Sequence, residues 1–107
     1  MKERQVVFKK SNINYYCFGS GPEAAICFHG YGQEASSFLF LEEYAGNQYT
    51  FFSIDLPFHG KTEWNDGLNF THSNLSAIVE EILHQNNYKL QTINYKLTMI
   101  GFSLGGR

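Results

Sequence analysis

Near the end of the sequence stands the stretch Ile100-Gly101-Phe102-Ser103-Leu104-Gly105-Gly106, which has the form G-x-S-x-G and directly follows the apolar run Leu97-Thr98-Met99. An apolar run that ends in this pattern predicts a buried strand that delivers a serine into a sharp turn. The flanking glycines leave the backbone room for such a turn. We therefore expect Ser103 to present its hydroxyl at the edge of a sheet, where a histidine can deprotonate it.

Two earlier apolar runs have the composition of strands that are covered on both faces, Ala24 to Phe28 and Tyr49 to Ile54. Val6 to Phe8 and Asn14 to Phe18 predict a preceding hairpin. The order of strands and helices predicts an α/β fold, in which a hairpin is followed by a βαβαβ parallel sheet that ends after its fifth strand.

Two helices are predicted between the buried strands. Ser36 or Ser37 can cap a first helix through Phe38 to Tyr44, which Gly46 closes. A second helix begins at Thr71 or Ser73. Its apolar residues recur at helical spacing and predict one buried face, formed by Leu75, Ile78, Val79, Ile82 and Leu83.

Composition narrows the class of protein. With 107 residues, 43% hydrophobic and 17% charged, the chain is predicted to be globular and to hold one domain. A net charge of -2 gives no basic surface for nucleic acid and no polybasic membrane patch. The charged start, residues 1–5, predicts no signal peptide, so we expect a cytoplasmic location. Cys17 and Cys27 lie in apolar runs, and we expect two buried free thiols rather than a disulfide.

Two further motifs follow the other buried strands. His29-Gly30-Tyr31-Gly32 comes after the first, and Asp55-Leu56-Pro57-Phe58-His59-Gly60-Lys61-Thr62 comes after the second. With the serine turn, these motifs make the chain resemble the α/β-hydrolase superfamily, whose members show H-G-x-G, D-x-P-G-x-G-x-S/T and G-x-S-x-G-G in this order. The resemblance covers residues 1–107 as the N-terminal, incomplete part of an α/β-hydrolase domain. Phe58 departs from it, since the pattern has glycine there.

The resemblance implies a role for each motif residue. Ser103 would be the nucleophile, and the backbone N–H groups of Tyr31 and Leu104 would stabilise the oxyanion. Arg107 is a weaker candidate for binding an acidic substrate, since a surface arginine is the simpler interpretation. Residues that shape the motif turns would be His29, Gly30, Gly32, Asp55, Gly101 and Gly105. His29 would order the oxyanion loop, and His59 would brace its own loop.

The family places the acid and the base histidine after the serine, so we expect this chain alone to lack a complete triad. The resemblance implies a serine hydrolase that acts on an ester, thioester or related bond of a small-molecule substrate. Two alternatives stay open, a non-catalytic remnant or binding module and a lyase-type relative that cleaves C–C bonds. No nucleotide motif or Cys/His ligand spacing occurs, so no cofactor and no metal are expected. The oligomeric state is not predicted.

Overall fold

Five β-strands form one sheet in the computed structural model, which describes residues 2–28 and 38–87 and the backbone of residues 97–101. The strands are β1 (Lys2–Phe8), β2 (Ser11–Gly19), β3 (Glu23–Phe28), β4 (Tyr49–Ile54) and β5 (Leu97–Gly101). Helix α1 (Leu41–Ala45) precedes β4, and helix α2 (His72–Gln85) follows it. The predicted hairpin and the alternation of strands and helices are confirmed.

The sheet is mixed, with the strand order β1-β2-β4-β3-β5. Strands β1 and β2 pair antiparallel, and β2 pairs antiparallel with β4. Strand β3 pairs in parallel with β4 on one side and with β5 on the other. The hairpin therefore extends a three-stranded parallel unit, as the α/β prediction requires.

Among the described residues, one helix packs on each face of the sheet. Side chains alternate between the two faces along a strand, so the strands present a separate apolar cluster to each helix. On one face α2 covers Ile26, Phe52 and Ile54 with four buried residues, which are Ile78, Val79, Ile82 and Leu83. On the opposite face α1 lies over a smaller cluster that is formed by Phe18, Ala25, Cys27, Phe38 and Phe51.

Helix α2 begins where the sequence predicts. Its N-cap is Thr71, whose hydroxyl accepts a hydrogen bond from the backbone N–H of Asn74 at 3.1 Å. The Asn74 side chain accepts one in return from the backbone N–H of Thr71 at 2.9 Å. This capping box satisfies two donors at the helix terminus that would otherwise lack a partner.

Replacing Thr71 by alanine is expected to lower the free energy of unfolding by about 1 kcal/mol, because the cap hydrogen bond is lost. Urea denaturation of the purified protein measures this loss. The matched control is Ser76→Ala, which removes a hydroxyl from an exposed position inside the same helix and should cause no loss. Equal effects of the two substitutions would contradict the assigned cap.

Three predicted elements, α1, β1 and β2, differ from the structure by several residues in their bounds, and β2 begins at Ser11 instead of Asn14. Helix α1 begins at Leu41 and not at Phe38, and its N-cap residue, Phe40, makes no side-chain cap hydrogen bond. Phe38 instead packs fully buried against the sheet ahead of the helix. The predicted caps Ser36 and Ser37 lie outside the described residues. Strand β1 begins at Lys2 because an edge strand can carry exposed polar residues on the side that faces water.

Both cysteines are free, as predicted, although Cys17 is only partly buried. Cys17 lies opposite Phe52 of β4, whereas Cys27 lies opposite Ser53, which places the two thiols on different faces of the sheet. Burial raises the pKa of the Cys27 thiol to about 12. Within the described ranges, no helix is long and apolar enough to cross a membrane.

Candidate active site

The three parallel strands end at the same level. Phe28, the last residue of β3, lies opposite Ile54 at the end of β4 and opposite Gly101 at the end of β5. After each of these three strands, the chain therefore leaves the sheet at the same edge. Each of the three motifs in the sequence begins at this carboxyl edge, where ligands bind in open α/β sheets.

Most of the residues with predicted chemical roles lie outside the described residues. They include the nucleophile Ser103 and the oxyanion donors Tyr31 and Leu104, whose roles stay predictions. The same holds for His29, Gly30, Gly32, Gly105 and Arg107. Of the motif residues, the structure describes the backbone of Gly101 at the end of β5 and the whole of the segment 55–62, which we call the β4 loop.

Asp55 is the buried centre of the β4 loop, with 1% of its surface exposed. Its carboxylate accepts hydrogen bonds from the backbone N–H of Lys61 at 3.1 Å and from the side-chain amide of Asn14 at 3.0 Å. Its carbonyl oxygen accepts a third from the Thr62 hydroxyl. Asp55 therefore folds the loop back onto the end of β4, and these contacts are those of a residue that shapes the loop.

Gly60 makes this fold-back possible. Its φ angle is +54°, and a Cβ at this position would lie 2.3 to 2.4 Å from three atoms of the Asp55 carboxylate group. Real Cβ atoms do not approach other atoms so closely, so the loop requires a residue without a side chain here.

Asn14 is a buried polar residue in β2 that was not predicted from the sequence. It is fully buried, and its side-chain amide donates to Glu3 at 3.1 Å as well as to Asp55. Its backbone N–H donates to the Thr62 hydroxyl at 2.9 Å, and its carbonyl accepts from the backbone N–H of Asp55 at 3.0 Å. Asn14 thus joins strand β2 of the hairpin to both ends of the β4 loop, at Asp55 and at Thr62.

An ion pair also ties the β4 loop to β1. The Lys61 ammonium lies 3.0 Å from a carboxylate oxygen of Glu3. The hydrogen bond from Lys61 lowers the pKa of Glu3, and the same hydrogen bond raises the pKa of Lys61. Both side chains are open to water, so this pair adds little to stability beside the buried contacts of Asp55.

Phe58 has a left-handed backbone, with a φ of +68°, although the hydrolase pattern has glycine at this position. Such a φ is an outlier for a bulky residue and is ordinary for glycine. The loop therefore keeps a glycine-like backbone while carrying an aromatic side chain, which is 65% exposed. At this position the chain therefore combines a left-handed backbone with an exposed aromatic side chain.

His59 contacts its own loop. Its ring Nδ1 lies 2.9 Å from the carbonyl oxygen of Pro57, and its backbone N–H donates to the carbonyl of Leu56 at 3.0 Å. These contacts suit the predicted role of a brace. In the described part of the chain, His, Cys, Asp and Glu side chains form no group of three or more that could hold a metal ion.

Solved structures with a similar fold are known. No family model and no curated protein matches this sequence. Among solved structures, the chain is similar to a candidate epoxide hydrolase from Pseudomonas aeruginosa, with a TM-score of 0.78 and 19% identity over 97% of this chain and 33% of that one. A candidate α/β hydrolase from Nostoc gives a TM-score of 0.77 at 18% identity, covering 97% of this chain and 35% of its own.

A bacterial membrane phospholipase A is similar as well, with a TM-score of 0.74, 19% identity, and coverage of 97% of this chain and 32% of its own. The chain thus spans about a third of the length of the structures it matches. The match lies in their N-terminal part. Together with the observed strand order, these similarities show that the chain has the fold of the N-terminal part of an α/β hydrolase.

Proposed function

We propose that this chain is the N-terminal part of a serine hydrolase that cleaves an ester, thioester or related bond of a small molecule through an acyl-enzyme on Ser103. The observation that carries the proposal is the common level of Phe28, Ile54 and Gly101. It brings the start of the serine turn to the same edge of the sheet as the loop after β3, from which the second oxyanion donor, Tyr31, would come.

The chemistry divides into two steps. The Ser103 hydroxyl oxygen attacks the substrate carbonyl carbon while its proton passes to a base histidine. Negative charge then develops on the carbonyl oxygen, where the backbone N–H groups of Tyr31 and Leu104 would stabilise it. The leaving group takes the proton and departs, and water releases the acyl group from Ser103 by the same route. By the family's chain order, the base histidine and its acid partner would follow Ser103 in the sequence.

Ester, thioester and related bonds are all compatible with the proposed reaction. The similar structures include an epoxide hydrolase candidate and a phospholipase, so this fold supports different reactions. A serine at the turn favours acyl transfer, since its hydroxyl can form an ester intermediate.

Covalent labelling of the complete protein with an alkyl fluorophosphonate tests the proposal. The serine oxygen forms a bond to phosphorus, fluoride leaves, and the serine proton passes to the base. We expect a single adduct on Ser103, located by peptide mass spectrometry, and no adduct in Ser103→Ala. The matched control Ser76→Ala, at an exposed helical serine, should be labelled like the wild type. Labelling of a different serine, or none in an active protein, would overturn the assignment.

A further inference from the structure

We propose that the bond between Asp66 and Gly67 is a site of spontaneous isoaspartate formation, and that the hairpin turn, residues 9–11, holds this site closed. The reaction rearranges the backbone of the protein itself and needs only water as a co-reactant. The site is therefore independent of Ser103 and of the proposed hydrolase reaction.

The sequence supplies the reactive pair. The backbone nitrogen of Gly67 can attack the side-chain carbon Cγ of Asp66, because a five-membered ring forms and glycine has no side chain to obstruct the approach. A C–N bond forms, and the carboxyl OH leaves with the amide hydrogen as water, which gives a cyclic imide. Water then opens the ring at one of its two carbonyls. Opening at the backbone carbonyl leaves the chain running through Cγ, which is isoaspartate, and opening at the other restores aspartate.

Crowding does not protect this pair. Gly67 is exposed, and a Cβ at this position would meet no atom within 4 Å. Its φ angle is +92°, which glycine adopts without strain. Its carbonyl oxygen accepts a hydrogen bond from the indole N–H of Trp64 at 2.8 Å, a contact that leaves the nitrogen side of the residue uncovered. Protection therefore has to come from the side chain of Asp66.

The hairpin turn holds that side chain. One carboxylate oxygen of Asp66 accepts hydrogen bonds from the Ser11 hydroxyl and from the backbone N–H of Lys10, the second at 3.2 Å. The other oxygen lies 3.4 Å from the same N–H. Ring closure requires Cγ to move within bonding distance of the Gly67 nitrogen. Hydrogen bonds to a charged group resist this movement more strongly than neutral ones.

Ser11 is itself fixed in place. It is 2% exposed, and its hydroxyl oxygen accepts a hydrogen bond from the backbone N–H of Asn65 at 2.8 Å. The Asn65 side-chain amide donates to the carbonyl oxygen of Lys10 at 3.1 Å. The hairpin turn and residues 65 and 66 thus hold each other. The site opens when they separate, and such local opening needs less free energy than unfolding of the whole domain.

Isoaspartate at position 66 would weaken this arrangement. The rearrangement adds one CH₂ group to the main chain and displaces the carboxylate, so the buried Ser11 hydroxyl and the Lys10 N–H lose their acceptor. We therefore expect the isomerised protein, separated by ion-exchange chromatography, to melt at a lower temperature than the unmodified protein.

Prolonged incubation of the complete protein near neutral pH tests the site. Peptide mass spectrometry with electron-based fragmentation distinguishes isoaspartate from aspartate at position 66. We expect Ser11→Ala to raise the rate of isoaspartate formation roughly tenfold, the factor that corresponds to one hydrogen bond to a charged group. The other aspartate of the chain, Asp55, is buried and is followed by leucine, so it serves as an internal reference that should stay unmodified.

Three comparisons separate lost hydrogen bonds from a general loss of stability. In concentrated urea, the wild type and Ser11→Ala should react equally fast, because the hairpin is unfolded in both. Asn65→Ala is a second variant at an exposed position, and it should raise the rate in the folded protein because it frees the Lys10 carbonyl. Ile82→Val lowers stability from within the core cluster and should leave the rate near that of the wild type.

Three outcomes would overturn the inference. Equal rates in the folded wild type, Ser11→Ala and Asn65→Ala would show that the hairpin turn does not protect the site. A rise in Ile82→Val as large as that in Ser11→Ala would assign the protection to global stability alone. Absence of isoaspartate at position 66 even in urea would show that the pair is not reactive.

Discussion

Replacing Ser103 by alanine in the complete protein is expected to lower kcat/KM for an activated ester such as p-nitrophenyl acetate by roughly 10⁴- to 10⁶-fold. The substitution removes the atom that would form the acyl-enzyme. The remaining oxyanion donors and binding contacts can then assist only a direct attack of water on the ester. The turn should keep its shape, because alanine lacks only the hydroxyl.

Two control measurements accompany this prediction. Circular dichroism and the melting temperature of Ser103→Ala should match those of the wild type, which excludes unfolding as the cause. Ser76→Ala, at an exposed position on α2, should retain full activity. An active Ser103→Ala protein would show that the nucleophile lies elsewhere and would return the choice to the alternative reactions on this fold.

Asp55→Ala is expected to lower the free energy of unfolding by about 3 kcal/mol or more, as measured by urea denaturation. The substitution removes the acceptor of the buried side-chain amide of Asn14 and of the partly buried backbone N–H of Lys61. Each buried donor that loses its partner costs about 1 to 3 kcal/mol.

Glu43→Ala is the matched control for Asp55→Ala. It removes the same charge from an exposed position on α1, so its effect should stay within about 0.5 kcal/mol. Asp55→Asn keeps one oxygen acceptor and should fall between the two. A small effect of Asp55→Ala, similar to that of Glu43→Ala, would mean that the β4 loop holds its shape without this carboxylate.

The buried strands and α2 were predicted closely because their patterns are local. Tyr49–Ile54 has the predicted bounds of β4, since a strand covered on both faces is apolar along its whole length. The start of α2 follows from one cap residue and one apolar stripe. The polar half of β1 carries no such pattern, because its side chains face water and only its backbone pairs with β2.

The candidate site was predictable in part. The motif order indicates which strand ends meet, and the pairing of Phe28 with Ile54 and Gly101 confirms that they are level. The role of Asn14 was not predictable, because its partner Asp55 lies 41 residues away in the sequence. The left-handed backbone of Phe58 was not predictable either, since the sequence pattern does not give the φ angle of a phenylalanine at this position.

The pairing of β3 with β5 has a consequence for synthesis on the ribosome. The hairpin β1–β2 joins neighbouring segments and can form within microseconds of their release, whereas Ala24 of β3 must wait for Leu97. At a translation rate of about 5–20 residues per second, β3 presents an open, apolar strand edge for several seconds. Nascent chains in that interval offer a pairing template to one another, so shielding by a ribosome-associated chaperone would raise the yield of folded protein.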